Sequence, residues 1–377
     1  MKSFLSRRDF LKISGAGLCA LPFAGAGPGR AGAVMPRMGL IKTAPAAHYV
    51  SLDGRSVRCG LCPKECRIGD GNRGLCRVRE NRGGKLISLV YGNPCALHLD
   101  PVEKNPFFHV LPGSMSLAIA TAGCNFTCKF CQTWEISQAS PEDVYSFDVP
   151  PQKAVEKAVQ MGARSVGYTF VEPVVFFEYM KDIGLLAREA GLLSLLHSNG
   201  FINGGPLQDL FPAIDAANID LKSIDGEFYR SLCGGKLPPV LDTLKRLRKS
   251  GTHLEITNLV VPTRNDDAGM LKDLCAWIAD ELGPDTPLHF WRFYPLYKLR
   301  NIPPTPVSVL DRARETAMSA GLHYVYVGNI PGHQGENTFC PGCGNKIISR
   351  TGYMVGDIRL KGGNCVFCGN SIPGIWG

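Results

Sequence analysis

The sequence has no run of apolar residues long enough to cross a bilayer. Its apolar N-terminal stretch, rich in Ala and Gly and ending at Ala31-Gly32-Ala33, is short and broken by Gly and Pro, so it cannot form a stable membrane-spanning helix. A Lys/Arg-rich run interleaved with aromatics is also missing, which argues against nucleic-acid binding. The formal net charge of +8 overstates the basicity: Lys2, Arg7, Arg8, Lys12 and Arg30 against Asp9 put +4 of it in residues 1–33 and leave +4 for the rest. Cysteine, by contrast, is plentiful, with fifteen in 377 residues, a length that allows two or three domains. Eleven of them fall into three compact groups at C-x2-C and C-x3-C spacing, which reads as metal sites and not as a disulfide framework. Cys19, Cys95, Cys233 and Cys275 are scattered, and an isolated cysteine is most often a small buried hydrophobe. Of these only Cys233 stays open.

The densest group is Cys124-Asn125-Phe126-Thr127-Cys128-Lys129-Phe130-Cys131, a C-x3-C-x2-C run. Three thiolates suit three corners of a cube-shaped iron–sulfur cluster, for which four protein cysteines are the rule, so one iron is left free to chelate a further ligand. The alternative, a zinc knuckle, is weakened because nothing of ribbon type follows at zinc spacing. Upstream, Asp53-Gly54 between two short alternating stretches predicts a hairpin over 47–58 that delivers Cys59, Cys62, Cys66 and Cys76. Their C-x2-C-x3-C-x9-C spacing, with a Gly-rich turn at 69–74, suits zinc or a second closed cluster; a structural module holding zinc is the favoured occupant. Downstream, Cys340, Cys343, Cys365 and Cys368 stand at C-x2-C-x21-C-x2-C around a turn at Thr351-Gly352, close to zinc-ribbon spacing, with zinc favoured over a cluster.

Between these groups apolar runs and amphipathic segments alternate, giving an α/β fold. Strands are predicted at 116–120, 165–168, 192–197, 217–221, 254–260 and 288–293, with helices at 152–161, 174–190, 240–250 and 268–282. Six strand–helix units imply parallel strands with right-handed crossovers, a partial barrel short of the closed eight. The expected organisation is a signal over 1–33, a cysteine-rich module over 34–110, a barrel over 111–332 and a zinc-ribbon-like module over 333–377. Functional residues of such barrels gather at the carboxyl ends of strands. These ends present Thr169 and Glu172, Asn199, then Asp220 and Lys222, which alternate and so face alike, then Glu255 and Asn258, and finally Arg292.

The C-x3-C-x2-C run resembles the signature of the radical S-adenosylmethionine superfamily. With Asp100 to Pro106, Leu111-Pro112-Gly113, Thr121 to Phe126, Tyr168 to Pro173, Asp220-Leu221-Lys222 and Leu232-Cys233-Gly234-Gly235, the chain looks like an AmmeMemoRadiSam system radical SAM enzyme, a family related to pyruvate formate-lyase activating enzymes. The resemblance implies an open (β/α)6 barrel and a [4Fe-4S] cluster on Cys124, Cys128 and Cys131 whose open iron chelates the amino and carboxylate groups of S-adenosylmethionine. It sets Phe130 near the adenine and Glu172 on the methionine ammonium, with the other strand-end residues as further contacts to the cofactor. The activity implied is reductive cleavage to a 5′-deoxyadenosyl radical that abstracts hydrogen from an unidentified substrate. A low-potential donor such as ferredoxin or flavodoxin would supply the electron, and Memo-like and AMMECR-like proteins would be partners. Departures from the pattern, Phe170-Val171 before Glu172 and Trp291 before Arg292, leave the substrate-side lining open. The rival readings are an activase that makes a glycyl radical on a partner protein, and a non-enzymatic electron-transfer or zinc scaffold. Ser6-Arg7-Arg8-Asp9-Phe10-Leu11-Lys12 resembles a twin-arginine export signal and points to the periplasm, whereas the cofactor chemistry points to the cytoplasm.

Overall fold

Seven parallel strands carry the centre of the fold. They are β2 (Met115–Ala120), β3 (Ser165–Tyr168), β4 (Leu193–Ser198), β5 (Ala216–Asp220), β6 (His253–Val260), β7 (Leu288–Arg292) and β8 (Val325–Gly328), lying side by side in chain order. The antiparallel strand β1 (Ala96–Pro101) covers the β2 edge, and among the described residues no pairing joins it to β8, so the barrel is open. This is a computed structural model that describes residues 35–377; the expected export signal lies outside the described residues.

The six predicted strands are present within a residue or two. β8 and β1 are additional. β8 is a four-residue strand after the last helix, and β1 is an edge strand ending in a proline, where strand patterning is weak. β1 pairs with β2 in the barrel sheet, and residues 35–377 form one compact unit. No helix among the described residues is long and apolar enough to cross a membrane.

The connecting helices include α1 (Pro151–Gln160), α2 (Phe177–Glu189), α3 (Gly204–Leu210), α4 (Leu237–Ser250), α5 (Ala268–Leu282) and α6 (Val307–Ser319). In α4 the buried Leu237, Val240, Leu244 and Leu247 recur at the three- and four-residue spacing of one helical face, each burial being worth about 1.5–3 kcal/mol. The helix stops at Gly251, whose φ of 81° is open to glycine without cost.

The hairpin predicted around Asp53-Gly54 pairs Tyr49–Ser51 with Val57–Cys59, and the C-terminal turn at Gly352 pairs Lys346–Thr351 with Met354–Ile358. The C-terminal ribbon is fastened to the amino-terminal end of the barrel. Arg350, fully buried, donates to the Phe108 carbonyl at 2.7 Å and to Thr338 Oγ1 at 2.8 Å, and lies 3.7 Å from the buried Glu103 carboxylate. Beside it Glu255 receives the backbone N–H of His109 at 2.9 Å and meets His289 Nε2 at 2.7 Å and His253 Nε2 at 3.2 Å. Burial opposes its ionisation, but the bonds to His253 and His289 win and hold the carboxyl well below the usual carboxylate range.

Glu255 is thus a keystone of the barrel floor. Glu255→Gln should destabilise the fold by about 3 kcal/mol at neutral pH, the scale of breaking a buried charged network. A depressed carboxyl contributes stability above its unfolded pKa, about 4.3, and loses it as pH falls through the folded value. Thermal melts should therefore show the largest gap between wild type and variant near pH 7 and a narrowing gap below about pH 4. A gap constant across that range would show that the charge contributes nothing.

Candidate active site

Strand β2 runs straight into the cysteine loop at the carboxyl end of the barrel. The loop is held from outside by the Leu232-Cys233-Gly234-Gly235 segment: Thr127 N–H donates to the Cys233 carbonyl and Lys129 N–H to the Leu232 carbonyl, both at 2.9 Å. The two glycines are needed there for space, since a side chain on Gly234 would strike Thr127 and one on Gly235 would strike the Phe126 ring.

Cys124, Cys128 and Cys131 open onto a cavity of about 290 Å³. Phe130, Thr169, Glu172, Asn199, Asp220 and Lys222 line the same cavity, so six of the nine proposed cofactor contacts come together. Glu255, Asn258 and Arg292 do not line it. Glu255 shares the inward parity of Thr257 and Leu259, both of which line the cavity, but sits lower on β6, in the floor described above. Asn258 falls on the opposite face of β6 and donates to the Leu221 carbonyl at 2.7 Å. Arg292 turns its Nε to the Thr305 carbonyl at 2.8 Å and its guanidinium over the Tyr294 ring.

The cavity residues that the sequence reading missed include His197, Lys104 and Tyr353. His197 links Thr169 Oγ1, 3.1 Å from its Nδ1, to Asp220 Oδ1, 3.1 Å from its Nε2; it ends a predicted strand, and strand-end position was the signal that could have found it. Lys104 approaches from the segment after β1. Tyr353 comes from the C-terminal ribbon, and no local pattern could have placed it in the cavity.

Electrostatically the wall is polarised. Lys222 Nζ lies 2.9 Å from Asp220 Oδ2 and 5.9 Å from the centre of the Phe130 ring. Burial opposes the charge on Asp220, but Lys222 and His197 hold its carboxyl below the usual range; Asp220 in turn raises the Lys222 ammonium against its own burial. The Cys128 thiol is held below its ordinary value by a hydrogen bond from Cys233, with burial opposing and Lys222 assisting. Cys233, left open on sequence grounds, is therefore a buried neighbour of Cys128. Glu172 is raised by burial although three donors reach it: Ser198 Oγ at 2.7 Å and Val174 N–H at 3.0 Å on Oε1, and Asn199 N–H at 2.8 Å on Oε2. A carboxylate offers about four acceptor positions, so one remains on Oε2.

These residues fit the groups expected of them. Three free thiols share one wall with a carboxylate that has a spare acceptor and with a buried carboxylate–ammonium pair, a donor set suited to an iron–sulfur cluster beside a zwitterionic, ribose-bearing molecule. The C-terminal cysteines make a different kind of site. The sulfurs of Cys340, Cys343, Cys365 and Cys368 all lie within 4.8 Å of one another, with close pairs at 3.6 and 3.8 Å, and can hold one metal ion.

An open α/β barrel whose carboxyl end gathers thiols and charges around one cavity is the architecture of a cofactor-dependent enzyme. Residues 118–275 match the Radical SAM superfamily. The uncharacterised protein MJ0808 of Methanocaldococcus jannaschii is 43% identical over 329 residues, which cover 87% of this chain and 98% of that protein. The pyruvate formate-lyase-activating enzyme of Listeria monocytogenes is 25% identical over 170 residues, covering 41% of this chain and 66% of the enzyme. A solved radical SAM methyltransferase from Sphaerobacter thermophilus superposes with a TM-score of 0.45 and 12% identity over 78% of this chain and 80% of its own. The chain belongs to the Radical SAM superfamily. Its members are enzymes, so the non-enzymatic scaffold reading is set aside.

Proposed function

We propose that Cys124, Cys128 and Cys131 hold a [4Fe-4S] cluster and that the adjoining cavity binds S-adenosylmethionine. Once loaded, such a centre supplies one-electron cleavage of S-adenosylmethionine to a 5′-deoxyadenosyl radical that takes a hydrogen atom from a substrate. The chain's own residues bind and orient. Glu172 offers its remaining acceptor to the ammonium, Asp220 and Lys222 offer a carboxylate and an ammonium to the ribose and carboxylate, and Phe130 gives an apolar face to the adenine. The observation that carries this reading is the convergence of three loop thiols and these strand-end groups on one cavity wall. Anaerobic reconstitution, reduction with dithionite and detection of 5′-deoxyadenosine test it; absence of that product from cluster-loaded protein would end it.

The sequence resemblance supports a finer assignment, to the AmmeMemoRadiSam system enzymes, with a low-potential ferredoxin or flavodoxin as reductant and Memo-like and AMMECR-like proteins as partners. The similarity to pyruvate formate-lyase-activating enzymes favours, as second reading, hydrogen abstraction from a partner protein. A protein-borne radical detected after turnover with a candidate partner would select it. Zinc is the proposed occupant of the C-terminal quartet, because tetrahedral Zn–S bonds of about 2.3 Å set the sulfurs about 3.8 Å apart.

Glu172→Gln should keep the cluster absorbance and weaken S-adenosylmethionine binding about 10- to 100-fold, the equivalent of a charge-assisted hydrogen bond worth about 1.5–3 kcal/mol. Equilibrium binding to the reconstituted protein measures it, and an unchanged Kd would remove Glu172 from the ligand.

A further inference from the structure

The four N-terminal cysteines close round a cavity of their own. Cys59, Cys62, Cys66 and Cys76 all line one small enclosed space, together with Arg79 and Asn125. Asn125 is the residue after the cluster cysteine Cys124. The module therefore sits directly behind the active-site loop. The contact is tight: a side chain on Gly123 would stand 2.5 Å from the Cys76 carbonyl oxygen, and Lys64 of the module donates to the Gly234 carbonyl of the segment that clamps the loop.

Sulfur spacing then separates the candidate occupants. One zinc ion needs its four sulfurs at about 3.8 Å from one another, and the C-terminal quartet meets that spacing. Among the described residues, no three of the four N-terminal sulfurs lie within 4.8 Å of one another. The same holds for Cys124, Cys128 and Cys131. A cube of four irons binds each thiolate at a separate corner, and so holds them farther apart than a single ion does. By spacing, the N-terminal quartet belongs with the active-site trio and not with the zinc-like quartet.

The wall chemistry agrees with an anionic occupant. Arg79 is 1% exposed; its Nη1 meets Glu178 at 2.9 Å and its Nη2 the Ala47 carbonyl at 2.6 Å, while its Nε is buried with no partner among the described residues. A cluster with four thiolate ligands is anionic and offers sulfur acceptors to such a donor.

We infer that Cys59, Cys62, Cys66 and Cys76 bind a second, fully protein-ligated [4Fe-4S] cluster, placed one loop away from the first. This reverses the occupant favoured on sequence spacing. The inference does not depend on S-adenosylmethionine binding.

The test is metal analysis with low-temperature EPR and Mössbauer spectroscopy on the full chain after anaerobic reconstitution. Wild type should carry about eight irons and one zinc, and the Cys124/Cys128/Cys131→Ala triple variant should keep about four irons as a cubane cluster. Cys62→Ser, a milder change than alanine, should lower the iron content about twofold while leaving the first cluster's signal. Wild type with about four irons and two zinc ions, or a triple variant that is folded by circular dichroism yet free of iron, overturns the proposal.

Discussion

Cys128→Ala is expected to abolish 5′-deoxyadenosine formation and to remove the absorbance of the active-site cluster. Two thiolates cannot hold three irons of a cube, so the variant should lose the whole centre and not merely a fraction of its affinity. The effect should exceed that of other single changes in the cavity, because Cys128 is buried, lies beside Cys233 and is held towards its thiolate form by that neighbour and by Lys222. The fold should survive, since most barrel contacts lie elsewhere. Turnover at the wild-type rate by Cys128→Ala would refute the proposed centre outright. Should the N-terminal quartet hold its own cluster, the variant will retain a residual iron signal that does not respond to S-adenosylmethionine.

Gly123→Ala is expected to have the second largest effect, and it acts through packing. Gly123 has φ of 93°, where an L-residue pays about 1–2 kcal/mol, and the new methyl would lie 2.5 Å from the Cys76 carbonyl oxygen and 2.7 Å from Val78 Cγ1. Backbone on one side and a buried valine on the other cannot yield cheaply, and overpacking adds about 1–3 kcal/mol, so a loss of about 2–5 kcal/mol follows. Because the contact joins the active-site loop to the four-cysteine module, iron content and Tm should fall together. Gly162→Ala is the control: φ is 69° there too, but nothing lies within 4 Å of the new methyl, and only the conformational term applies. Equal melting and iron content for the two variants would show that the Gly123 contact does not fasten the module to the loop.

Much of this protein was legible in its sequence because the informative features are local. Three thiols in eight residues, Asp53-Gly54 between alternating stretches and the period of helices such as α4 act over a few residues, and local spacing fixes them. Thr169, Glu172, Asn199, Asp220 and Lys222, picked out by strand-end position, line one cavity, since a parallel barrel brings every strand's carboxyl end to one mouth. Glu255, Asn258 and Arg292 lie away from that cavity for separate reasons: height along the strand, parity across it, and a partner in a later loop. None of these can be read from residue type. The tertiary structure alone placed Tyr353 in the cavity and Cys233 beside Cys128, and set the N-terminal cysteines against the active-site loop. It also told the cysteine groups apart, because C-x2-C spacing along the chain leaves the distances between sulfurs to the fold, and those distances decide whether one ion or a cube of irons can be bound.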